Sequence, residues 1–125
     1  MWFSGSGVET EIEEIFNHVN KHSRKNGCVF IGCDSQVIKD KCTFSTVICL
    51  HGADNQKGGY YFFKREKVER KSYPTMIKRL LREVELSIQM GYKIADIFPD
   101  ANIEIHIDAN SKKEASTTRF ADMLM

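Results

Sequence analysis

No apolar run in this 125-residue chain approaches the roughly 18 residues that a membrane-spanning helix requires. A membrane is therefore not an expected partner. The opening MWFSGSGVETE has neither the basic stretch nor the apolar core of a secretory leader, so a cytoplasmic protein is expected. An excess of one charge is also missing. Lys+Arg 18 against Asp+Glu 17 leaves a formal net charge of +1, which excludes an overall basic nucleic-acid coat protein but not local patches. Cys28, Cys33, Cys42 and Cys49 form no C-x-x-C pair, the arrangement in which zinc ligands normally come. Buried, reduced thiols are the expectation. Repeats, linkers and low-complexity tracts are lacking too. One domain over 1–125 remains, long enough to bury roughly two-thirds of its unfolded surface without disulfides or metal.

The pattern of residues suggests an order of elements. Val8, Ile12, Ile15, Phe16 and Val19 recur at helical spacing, with Ser6 and Glu9 as a capping box and Asn26-Gly27 as a stop. Cys28 to Cys33 reads as a buried central strand. A polar connection from Asp34 to Lys41 leads to a second strand over Cys42 to His51, and a Gly-rich turn leads to a third at Tyr60 to Phe63. Tyr73-Pro74 opens a second helix whose buried stripe is Ile77, Leu80, Leu81, Val84 and Ile88, with Gly91 as its stop. Asn102 to Ile107 alternates as a fourth strand, placing Glu104, His106 and Asp108 on one side. Phe120, Ala121, Met123 and Leu124 begin a further helix in which the chain stops. A truncated C-terminal part is therefore expected. A strand reached through a helix usually lies parallel to an earlier neighbour. The predicted class is α/β: a three-stranded antiparallel meander plus a parallel fourth strand beside the first.

That topology has a chemical consequence. Asp34 ends the first predicted strand and Asp108 the fourth, so parallel neighbours bring both to one C-terminal edge, where open α/β sheets commonly bind ligands. Glu83 or Glu85 on the second helix can reach the same edge; periodicity does not separate them. Three carboxylates within about 5 Å repel by roughly 3 kcal/mol per pair at an effective dielectric of about 20. Hard divalent cations relieve such a cluster, and a pair of them about 4 Å apart serves phosphodiester cleavage.

Three segments together resemble a known family: Phe30-Ile-Gly-Cys-Asp-Ser-Gln-Val37, Arg79-Leu-Leu-Arg-Glu-Val-Glu-Leu-Ser87 and Ile105-His-Ile-Asp-Ala-Asn110. In this order they resemble the YkuK-type family of ribonuclease H-like proteins, small bacterial and phage proteins. The resemblance covers most of 8–125. It implies a mixed five-stranded sheet and a nuclease in the cytoplasm of a bacterium, or of the host if phage-encoded. It also implies two Mg2+ or Mn2+ ions held by Asp34, Glu83 and Asp108, with nucleic acid (RNA, DNA or a hybrid) as partner. Glu83 is preferred over Glu85 because Glu-x-x-x-Ser ending at Ser87 resembles the family's helix. Such nucleases generally carry a fourth metal-site residue in a C-terminal helix, which this sequence does not supply. A catalytically inactive module that binds nucleic acid or protein is the alternative.

Other residues have accessory roles in this reading. Ser35 and Gln36 follow Asp34 and suit contacts to substrate, and His106 shares a strand face with Asp108. A basic stretch from Lys64 to Arg82 contains Lys78, Arg79 and Arg82; these, with Lys112 and Lys113, are candidates for salt-dependent phosphate contacts. A solvated helix face and loop are the competing explanation. A third alternative is a phosphatase using Asp34 as nucleophile in the manner of haloacid dehalogenase-like enzymes, but those place a second acid two positions later, where the chain has Gln36.

Overall fold

The computed structural model describes residues 1–56 and 59–107. Among the described residues, six strands form one sheet in the order β2-β1-β5-β4-β3-β6. They are β1 (Trp2–Ser4), β2 (Glu9–Thr10), β3 (Cys28–Ile38), β4 (Lys41–His51), β5 (Tyr60–Glu69) and β6 (Asn102–His106). Helix α1 (Ile12–Arg24) precedes the meander β3–β4–β5, and α2 (Met76–Ile97) joins it to β6. Every described pairing is antiparallel except β3 with β6, which run parallel with Cys28 opposite Asn102 and Gly32 opposite His106. The expected meander with a parallel fourth strand beside its first is therefore present.

The core lies between the sheet and the helices. Ile15 and Val19 of α1 and Ile94 of α2 pack with Val29, Ile31, Ile48, Leu50 and Phe62. Strand alternation puts these sheet residues on one face, and each such side chain contributes about 1.5–3 kcal/mol by leaving water. Trp2 joins the same cluster. Among the described residues, both helices cover this one face and leave the other uncovered. No helix among them is long and apolar enough to cross a membrane.

Several sequence expectations need correction. The first residues do not begin a helix: Ser4 to Val8 turn a short hairpin, Gly7 taking φ 86°. Helix α1 starts only at Ile12, behind Glu11. The capping box at Ser6 is overruled because β1 pairs with β5 and buries Trp2, and Val8 is left exposed. The polar segment from Asp34 onward is strand, since β3 pairs with β4 out to Ile38 opposite Lys41 around a turn in which Lys39 has φ 56°. Asp34 is thus internal to the strand rather than its end. Likewise β5 extends past Phe63 to Glu69.

Helix α2 is capped by Thr75, whose hydroxyl accepts the Lys78 N–H at 3.1 Å, with Pro74 just outside. Gly91 does not stop it. The helix continues to Ile97 because Gly91 faces the sheet, where a Cβ would lie 3.0 Å from Ile105 Cδ1. The buried stripe also differs: Leu80, Glu83, Val84, Ser87, Gly91 and Ile94 face inward, whereas Ile77, Leu81 and Ile88 are exposed. The cysteines are free thiols, with Cys33 and Cys42 buried and Cys28 and Cys49 half-buried. Asp108, Lys112, Lys113 and the expected C-terminal helix lie outside the described residues.

Candidate active site

The last described pair between β3 and β6 is Gly32 with His106. Asp34 and Asp108 each follow that pair by two residues in the sequence. Beyond Gly32, among the described residues, the edge of β3 away from β4 carries no strand. The side chains on either side of this open edge are Cys33 and Ser35, turned toward α2, and Asp34 and Gln36, turned toward the uncovered face.

Glu83 lies over the α2 side of the edge. It is 4% exposed, and Ser35 donates its hydroxyl to Glu83 Oε2 at 2.6 Å. A narrow crevice there is bounded by Cys33, Glu83, Ser87, His106 and Ile107. Ser87 donates its hydroxyl to the Glu83 backbone carbonyl at 2.9 Å, one helical turn back. The Glu-x-x-x-Ser spacing therefore has a local meaning: Ser87 satisfies its own hydroxyl within the helix. The other candidate helix acid, Glu85, points outward, paired with Arg82 at 2.6 Å and accepting from Gln89 at 3.2 Å.

Cys33 reports the electrostatics of the edge. Burial pushes its thiol up to about 11, and the charges of Glu83 and Asp34 push in the same direction. Thr46 donates to its sulfur at 3.7 Å and Arg82 lies near, and both act the other way. The thiol is thus neutral and unsuited to nucleophilic work.

Asp34 is exposed. It opens onto a hollow of about 300 Å³ that also includes Gln36, Thr43, Ser45, Arg65 and Lys67. The strand register explains the grouping: Asp34 pairs with Ser45 and Ser45 with Arg65, while Gln36 pairs with Thr43 and Thr43 with Lys67. Arg65 and Lys67 were within the basic stretch of the sequence, but their place beside Asp34 needed the hairpin registers. His106 is on the same face, ringed against Phe30 at 4.8 Å and 3.5 Å from Glu104. Lys78 is exposed on α2, Arg79 donates to the Tyr73 carbonyl at 3.2 Å, and Arg82 is tied to Glu85.

The donors at this edge are hard oxygens (two carboxylates and a hydroxyl), the chemistry that Mg2+ and Mn2+ prefer. Asp34 and Glu83 approach the open edge from opposite faces of β3. Among the described residues no three His, Cys, Asp or Glu side chains form a group able to hold one ion, and Asp108 lies outside those residues.

A family model described as Ribonuclease H-like matches residues 10–124. The chain belongs to the ribonuclease H-like family. The match bears out the resemblance to its YkuK-type members, and the mixed sheet with a parallel β3–β6 pair agrees with a ribonuclease H-like fold. No curated protein and no solved structure matches the chain.

Proposed function

We propose that this ribonuclease H-like protein is a divalent-metal-dependent phosphodiester hydrolase acting on nucleic acid. The observation that carries the reading is the placement of a buried helix carboxylate, Glu83, on Ser35 of β3, next in sequence to Asp34 and beside the end of the parallel strand β6. A carboxylate held this far from water needs partners that favour its charge, and a cation at the edge is one such partner. Asp34, Glu83 and Asp108 are the proposed ligands of Mg2+ or Mn2+. When bound, two such ions supply an activated water and stabilise the leaving oxygen of the cleaved ester. Ser35 orients Glu83, while Arg65 and Lys67 offset the phosphate charge next to Asp34. RNA, DNA and hybrid substrates all present the required phosphodiester.

The test is cleavage of labelled oligonucleotides in Mn2+. Asp34→Asn should abolish activity and keep the fold, because Asp34 is exposed. Full activity in that variant would remove the mechanism. A second reading has its own support. The described acids stand on opposite faces of a strand, and no described trio can hold an ion. A catalytically inactive module that binds nucleic acid would show binding without cleavage in any divalent cation.

A further inference from the structure

The sheet face turned away from α1 and α2 has two distinct halves. One half is aromatic: Phe3 stacks on Phe63 with ring centroids 5.7 Å apart, and Tyr61, two residues before Phe63 on β5, is 46% exposed. The other half is the polar hollow around Asp34, with Arg65 and Lys67 as its cations. The two halves meet where the Arg65 guanidinium lies 4.8 Å from the centre of the Phe63 ring.

We propose that this face binds a single strand of nucleic acid, which runs from the aromatic half into the hollow and so brings a phosphodiester to Asp34. The inference rests on the hydrolase reading for its purpose, but the binding surface is argued from its own residues. Arg65 and Lys67 are two residues apart on β5, so they emerge on one face about 6.7 Å apart. That distance is close to the separation of neighbouring phosphates on an extended strand. Complementarity of charge supplies affinity without sequence preference, and exposed rings on a sheet offer platforms on which unpaired bases stack. A duplex has its bases already stacked and leaves those rings unused. Single-stranded nucleic acid is therefore the occupant that uses both halves. Thr43, Ser45 and Gln36 add neutral hydrogen-bonding groups between the cations and Asp34.

The experiment measures fluorescence anisotropy of a labelled single strand of about 12 nucleotides, as DNA and as RNA, on the full chain in EDTA. Wild-type protein should bind the single strand more tightly than the corresponding duplex. The double variant R65A/K67A should bind at least about tenfold more weakly, with the slope of log K against log salt reduced by about 1.4 for two lost phosphate contacts on a single strand. Tyr61→Ala should weaken binding with the salt slope unchanged. K21A/K25A removes the same charge from exposed positions on and just after α1 and should stay within about twofold of wild type. Wild-type binding by R65A/K67A, equal losses in the two double variants, or preference for the duplex would each overturn the inference. Because EDTA removes catalysis, the two claims separate. The expected binding pattern without cleavage in Mn2+ sinks only the hydrolase reading. Cleavage with R65A/K67A binding unaffected sinks only this surface.

Discussion

Ser35 and Glu83, separated by 48 residues in sequence, are joined by a 2.6 Å hydrogen bond in which the serine hydroxyl donates to the carboxylate. The contact fixes α2 on β3 at the point where β6 ends, and it orients an acid that is nearly removed from water. Ser35→Ala removes one donor from this buried carboxylate. The expected loss is about 1–3 kcal/mol of stability, measured by urea unfolding. Ser35→Thr, which keeps the hydroxyl, should recover most of it.

The end of α1 is held by a second buried polar group. His22 Nε2 lies 3.1 Å from the Cys28 carbonyl and 3.0 Å from the His51 carbonyl, so it carries the proton and donates to both. A Cβ at Gly27 would come within 2.0 Å of that nitrogen. Gly27→Ala must therefore displace the ring and break these bonds. The cost should be about 1–3 kcal/mol, with a shift of the His22 ring resonances by NMR. An unshifted ring and unchanged stability would contradict the packing described.

The thiol of Cys33 makes stability depend on alkaline pH. Burial raises it from 9.0 to about 11 in the folded protein. Below pH 9 the thiol is neutral in both states and contributes no pH dependence. Between pH 9 and 11 the unfolded chain releases its proton while the folded chain keeps it, so stability falls as pH rises. The slope from this group is at most about 1.4 kcal/mol per pH unit. Cys33→Ala should flatten the unfolding free energy over that interval. In the native protein at neutral pH, Cys33 and Cys42 should resist a thiol reagent that reaches the half-buried Cys28 and Cys49 first.

The meander and its parallel neighbour were legible because an apolar run marks the start of β3, a run rich in Thr, Val and Ile marks β4, and clean alternation marks β6. The outer half of β3 was not. Asp34, Gln36 and Ile38 lie on an uncovered face, so polar residues there look like a loop unless the pairing with β4 is known. The N-terminal hairpin was missed for a related reason: Trp2 reaches the core through the pairing of β1 with β5, about sixty residues away in the chain. Gly91 looked like a helix stop, yet what it permits is the approach of Ile105. Glu83 could not be told from Glu85 by periodicity because its burial depends on Ser35, a residue of another element. The resemblance to the YkuK-type family supplied that choice, and the grouping of Arg65 and Lys67 with Asp34 required two strand registers at once.

The central claim is that the acids flanking the open edge of β3 share a divalent cation. Isothermal titration of the full chain with Mn2+, repeated on Asp34→Asn and Glu83→Gln, tests it directly. A saturable heat in the wild type, accompanied by thermal stabilisation and lost in both variants, is the expected result. No Mn2+ binding by the wild type, or binding of equal strength in both variants, would contradict the account.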